Sequence, residues 1–151
     1  MNIKYYSKHM DSELLDRLYS VTKVLEKDYP IHKEWFYDKF VKELDGIKRE
    51  IIYYEKNNII YGVVFLKNSE EEKKICTIYV DEKYRKQGVG TSLIKESMKF
   101  LGTQTPFITM PDYKEKCFLK IIEKYNWKKT QVIDSYYSNN RELVFNGFLT
   151  V

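Results

Sequence analysis

Residues 75–110 constrain the fold more than any other stretch. Ile-Cys-Thr-Ile-Tyr-Val (75–80) has the length and β-branched content of a strand. After a polar loop, residues 89–101 carry Leu93, Ile94, Met98 and Leu101 at helical spacing, with Gly102 ending the helix. A second apolar run, 107–110, follows. A strand reached through a helical crossover returns parallel to its predecessor. The chain therefore needs a sheet with a parallel pair in it and a helix on its face.

The flanking segments fill in the order. A short strand is expected over 2–7. Asp11 or Ser12 offers an N-cap for a helix with Leu14, Leu18, Val21 and Leu25 in phase, broken by Pro30. Phe36, Phe40 and Leu44, four apart, mark a second helix that stops near Gly46. Strands are expected over 50–55 and 59–66 with Asn57-Asn58 as the tight turn, and a charged turn over 68–74 leads into 75–80. These runs barely alternate, which suggests strands covered on both faces. A helix over 114–125 has Phe118, Ile121, Ile122 and Tyr125 inward and Asn126 at its end. Strands over 131–137 and 142–146 close the chain, with Ser138-Asn139-Asn140 as their hairpin turn. The order is β-α-α-β-β-β-α-β-α-β-β, an α+β fold with a mixed sheet and helices packed on it. No Gly-, Ser- or Pro-rich linker interrupts the 151 residues, so one domain over 1–151 is expected.

Several function classes drop out. Disorder does not fit a chain with 14 Tyr, 8 Phe and 2 Trp. The net charge of +4 is spread among acids, as in the KNSEEEKK of 67–74, so no nucleic-acid partner is expected. The longest apolar run, 59–66, falls short of the roughly 20 residues of a membrane span. Cys76 and Cys117 lack neighbours at metal-ligand spacing, and His9 and His32 stand apart from them, so no metal is expected and the thiols read as reduced. Residues 2–9 are polar and aromatic, unlike a signal peptide, and the expected location is cytoplasmic.

The chemistry lies in the loop between the strand at 75–80 and the helix at 89–101. Arg85-Lys86-Gln87-Gly88-Val89-Gly90 opens that helix at Thr91. Glycines two apart let a ligand approach the backbone, and the first-turn N–H groups lack intrahelical partners at the positive end of the dipole. Such a place takes a phosphate or pyrophosphate. It is not a P-loop, since no Gly-Lys-Ser/Thr is present, nor a dinucleotide fingerprint, which needs three spaced glycines.

Tyr-Arg-Lys-Gln-Gly-Val-Gly-Thr-Ser-Leu (84–93) resembles motif A of the GCN5-related N-acetyltransferases (GNAT), an Arg/Gln-x-x-Gly-x-Gly/Ala signature entering a helix. The element order is similar to that family's across nearly the whole chain, as are Gly62 inside a strand and Asn126-Trp127 after the fourth helix. The resemblance implies a sheet splayed at its centre, between 75–80 and 107–110, with helices on both faces. It also implies acetyl-CoA as co-substrate, with no metal. Backbone groups of Ile78, Tyr79 and Val80 would pair with the pantetheine arm. The main-chain amides of Gln87, Gly88, Val89, Gly90 and Thr91 would hold the pyrophosphate, with Arg85 and Lys86 beside the phosphates. The acyl acceptor would be a small-molecule or peptide amine attacking the thioester directly, and a homodimer is compatible with the family.

The resemblance leaves the catalytic groups open. Many relatives carry a Tyr acid on the fourth helix; counting from Trp127 puts Ile122 there, and counting from the helix start puts Lys120 there. Tyr113, Cys117 and Tyr125 are nearby donors, and Glu70, Glu71 and Glu72 are acids ahead of the key strand. Asp112 reads as a helix cap. Tyr29, Trp35, Phe36, Tyr37, Tyr136 and Tyr137 are candidates for an acceptor slot, with core packing as the competing role. The absence of a Tyr at 122 keeps an alternative alive, a CoA-binding sensor or interaction module without turnover.

Overall fold

The computed structural model describes residues 2–150. Its strands are β1 (Ile3–Tyr5), β2 (Arg49–Lys56), β3 (Ile59–Asn68), β4 (Lys73–Val80), β5 (Phe107–Pro111), β6 (Lys129–Ile133) and β7 (Glu142–Phe145). Its α-helices are α1 (Ser12–Val21), α2 (His32–Trp35), α3 (Val89–Leu101) and α4 (Glu115–Lys124). The seven strands form one sheet in the order β1-β2-β3-β4-β5-β7-β6. Every neighbouring pair is antiparallel except β4 and β5, the pair that α3 connects.

Both faces of the sheet are covered, which explains why β2 and β3 lack polar alternation. On one face Ile52, Val64, Leu66 and Ile75 pack with Leu93, Ile94, Met98 and Leu101 of α3. On the other, Ile51, Tyr53, Val63 and Phe65 meet Leu14, Leu15 and Leu18 of α1 and the phenylalanines Phe36 and Phe40. Asp11 caps α1, its carboxylate accepting from the Leu14 N–H at 3.1 Å. Gly102 and Asn126 take the left-handed conformation that ends α3 and α4, with φ of 72° and 56°. Trp127 then turns inward, its Nε1 donating to the Gln104 carbonyl at 2.9 Å.

Four expectations need correction. The first helix does not run to Pro30: α1 ends at Val21, and Leu25 lies in a separate 3-10 turn over Lys23–Lys27. The second helix is α only from His32 to Trp35 and continues as a π turn over Phe36–Phe40. That wider turn falls where Phe36 and Phe40 crowd against Phe65, at ring separations of 4.9 and 5.4 Å. The last hairpin has no tight turn at 138–140; β6 stops at Ile133 and an irregular loop runs to β7. Tyr137 leaves the ladder there because its ring packs edge-on against Tyr29, 5.0 Å away. Of the inward face expected for α4, only Ile121 is fully buried, while Phe118, Ile122 and Tyr125 lie half-buried at the margin of the core. Among the described residues no helix is long and apolar enough to cross a membrane.

Candidate functional site

β4 and β5 pair at only two positions, Lys74 with Phe107 and Ile75 with Ile108. Beyond them the strands part. Hydrogen-bonding parity decides which backbone groups face the gap, because residues of an antiparallel ladder point alternately toward and away from a given partner. The Asp81 N–H donates to the Tyr61 carbonyl. Stepping by two, Tyr79 turns its N–H and C=O toward Val63 of β3, while Ile78 and Val80 turn theirs toward the gap. On the far side, the Asp112 N–H donates to Arg141, so Thr109 also turns its backbone into the gap. This narrows one expectation: the backbone of Tyr79 is committed to β3, and the residue offers its ring instead.

A register shift between Phe65 and Leu66 leaves Cys76 as the extra residue of β4, a bulge at the point where the strands part. Its thiol is pushed up by burial. Cys117 is exposed on α4.

At the open end of the gap the loop after β4 curls through two left-handed residues, Lys86 (φ 63°) and Gly88 (φ 82°). Gly88 is the N-cap of α3 and provides no side-chain cap. The first N–H to bond back is that of Ser92, to the Gly88 carbonyl at 3.0 Å, so the amides of Val89, Gly90 and Thr91 lack helical partners. A Cβ on Gly88 would meet nothing within 4 Å, and one on Gly90 would meet only Val80 Cγ2 at 3.6 Å. Neither glycine is crowded by a side chain. α3 reaches this position because Gly62 of β3 has no side chain; a Cβ there would lie 3.1 Å from Leu93 Cδ1 and from the Tyr79 carbonyl. Arg85 donates through Nε to the Val80 carbonyl at 2.9 Å, and its guanidinium lies over the Tyr79 ring at 5.2 Å. Gln87 and Lys86 are exposed beside it.

On the side of the sheet that carries α1 and α2 the gap widens into a cavity of about 260 Å³. Tyr29, Trp35 and Tyr137 line it, three of the six aromatics expected there. The other three do not: Phe36 is fully buried in the core, Tyr37 binds Asp16 at 2.6 Å, and Tyr136 points outward to the Thr150 carbonyl at 3.3 Å. Of α4 and the turn before it, Lys114 and Phe118 reach the cavity, whereas Ile122 and Lys120 do not. Tyr113 is bound to Asp28. Tyr125 packs against the core. Asp112 caps nothing; it pairs with Arg141 at 3.2 Å, and the N-cap of α4 is Lys114, without a side-chain bond. Of the three glutamates before β4, Glu72 alone faces the cavity, paired to Lys67 at 3.1 Å.

Glu142, Lys114 and His32 were not singled out as site residues from sequence. Glu142 opens β7 and is 3% exposed. Burial raises its carboxyl above the usual range, offset in part by hydrogen bonds from Thr109 and Tyr29. The Tyr29 hydroxyl donates to it at 2.9 Å, and burial followed by the Glu142 charge pushes that phenol up. Lys114 has its ammonium disfavoured by burial and by Arg85, against the attraction of Asp28 at 3.9 Å. An acid at the start of an otherwise apolar strand was the one available signal for Glu142. His32 also faces the cavity, held at about 4 by burial and therefore neutral near neutrality. Thr22 Oγ1 donates to the Tyr19 carbonyl, so the 2.9 Å contact with His32 is a bond donated by Nε2–H.

The family model of the acetyltransferase (GNAT) domain matches residues 48–125, from the turn before β2 through α4. The chain belongs to the GNAT acetyltransferase family. The matched segment contains the gap, the bulge and the uncapped start of α3. No curated protein matches the chain in sequence. Solved structures with the GNAT fold align along almost all of it. The Arabidopsis thaliana NAA60 structure with acetyl-CoA superposes with a TM-score of 0.68 at 14% identity, covering 95% of this chain and 96% of that one. The ribosomal-protein-S18-alanine N-acetyltransferase of Escherichia coli gives 0.66 at 15%, covering 95% and 91%. A Bacillus subtilis acetyltransferase in complex with CoA gives 0.65 at 16%, covering 98% and 99%. Identities this low speak for the fold.

Proposed function

We propose that this chain, acting as one domain over 1–151, transfers the acetyl group of acetyl-CoA to a primary amine. The observation that carries the reading is the parting of β4 from β5 after two paired positions. It leaves unpaired backbone groups along a channel between the uncapped start of α3 and an aromatic-lined cavity.

Each part of the site fits that substrate. The amides of Gln87, Gly88, Val89, Gly90 and Thr91 suit a pyrophosphate, with Arg85 and Lys86 adding positive charge. Ile78, with its N–H and C=O turned to the gap, and the free Val80 N–H suit the amides of a pantetheine arm; Tyr79 contributes a side-chain wall.

Bound acetyl-CoA supplies an acyl group already activated as a thioester. The chain then has to orient an amine and move two protons. The Ile78 N–H, aimed into the gap, is the donor best placed to stabilise negative charge on an acyl oxygen there. Tyr29 takes the proton of the amine as its own passes to Glu142, whose raised carboxyl makes it a competent acceptor. The amine nitrogen bonds to the acyl carbon, the carbon–sulfur bond breaks, and Lys114 returns a proton to the sulfur. Burial makes the Lys114 ammonium a stronger acid than an exposed one. A lysine at the start of α4 thus takes the task that the resemblance assigns to a tyrosine about two turns later.

The test is thiol release from acetyl-CoA over a panel of primary amines, run beside a CoA-binding measurement. Binding with turnover is expected. Binding with no thiol release from any amine would favour the sensor reading instead.

A further inference from the structure

The wall of the cavity on the α1/α2 side carries Lys39, Arg49, Lys67 and Lys74 against a single carboxylate, Glu72. Lys67 and Glu72 pair with each other. Among the described residues, neither Lys39 nor Lys74 has a carboxylate within 4.0 Å; the Lys74 ammonium lies over the Phe107 ring at 5.1 Å.

Arg49 marks this wall as a built site rather than a scatter of surface lysines. Its side chain is only 4% exposed and borders the cavity. Nε binds Glu43 at 3.3 Å, Nη1 approaches Cys76 Sγ at 3.9 Å, and the guanidinium covers the Phe40 ring. Nη2 has no partner among the described residues, yet no buried side-chain nitrogen or oxygen among them is left unsatisfied. Nη2 is therefore accessible, on a residue that lines the cavity. A guanidinium taken out of water needs its donors met, and its planar fork matches a carboxylate or a phosphate.

This wall conflicts with an acceptor whose only charge is its ammonium, since like charges repel. An acceptor with an anionic group beside its amine resolves the conflict. The same cations also favour loss of the ammonium proton, which attack on a thioester requires. Resting on the amine-acetylation reading above, we propose that the cavity receives a small amine that carries a carboxylate or phosphate, the anion lying against Arg49, Lys39 and Lys74.

Two readouts separate this proposal from the reading beneath it. The first is thiol release with paired probes, β-alanine against β-alaninamide and phosphoethanolamine against ethanolamine. The second is fluorescence, since Trp35 borders the cavity. Protein saturated with CoA, so that the loop at α3 is already filled, is titrated with succinate and with inorganic phosphate. The anionic member of a pair should be favoured by about tenfold or more in kcat/KM, the scale of one charge-assisted contact. The emission should titrate with an anion, and Arg49→Met should abolish that response. Lys74→Glu, on a residue outside the core, should reverse the preference within each pair, which covers the case in which the Arg49 variant fails to fold. The pair with the larger ratio tells carboxylate from phosphate. Equal or better use of the members that lack the anionic group, or an emission that no anion alters, overturns the proposal. An anion response without thiol release from any amine upholds the anion site and removes the transfer reading.

Discussion

The Tyr29 hydroxyl donates a 2.9 Å hydrogen bond to Oε2 of Glu142, joining residues 113 positions apart. Only the tyrosine borders the cavity; the carboxylate stands behind it. In the proposed reaction this pair carries the proton away from the amine. Glu142→Gln should lower kcat by on the order of 100-fold, the lower range for loss of general base catalysis, and leave CoA affinity unchanged. Burial raises the Glu142 carboxyl, so the ionised, accepting form is lost as pH falls through that raised value. The wild-type rate should fall on the acid side, and the Gln variant should lose that limb. An unaltered pH–rate profile in the variant would exclude the role.

Gly90→Trp tests the anion site at α3. An added Cβ meets only Val80 Cγ2 at an ordinary distance, so the fold should survive while the indole covers the free amides. CoA binding should disappear by calorimetry, with the far-ultraviolet dichroism unchanged. Retained affinity would refute the placement of the pyrophosphate.

His32 gives a pH dependence of stability. Burial lowers it to about 4 from 6.5. Between those values the unfolded chain binds a proton that the folded one refuses, so this contribution to stability is complete above 6.5 and is lost as pH falls toward 4. The urea midpoint should decline through that window, and His32→Phe should flatten the decline. An equal slope in both proteins would show that other groups control it.

Gly62→Val would put a branched side chain where even a Cβ lies 3.1 Å from Leu93 and the Tyr79 carbonyl. Overpacking of this kind costs about 1–3 kcal/mol, measurable by urea unfolding. CoA affinity should weaken as well, because the start of α3 is displaced. A variant as stable as the wild type would mean that α3 shifts without cost.

Much of the fold was legible because its signals are local. The periodicity of 89–101 matches α3 to the residue, and Asn126 could be read as a terminator from its own backbone preference. The π turn was not legible, because it reflects the crowding of Phe36 and Phe40 on Phe65, a residue of another element. The irregular loop before β7 escaped for a similar reason: Tyr137 answers to Tyr29, not to its sequence neighbours.

The sequence by itself determined the strand, the loop and the uncapped helix start, since backbone donors and missing Cβ atoms need nothing from elsewhere in the chain. Only the tertiary structure decided which groups meet at the cavity. Ladder parity turns Ile78 and Val80 toward the gap and Tyr79 away from it. Tyr29, Arg49, Lys114 and Glu142 come from four separate segments. Their charge, burial and hydrogen bonding depend on through-space neighbours that no single window of sequence contains.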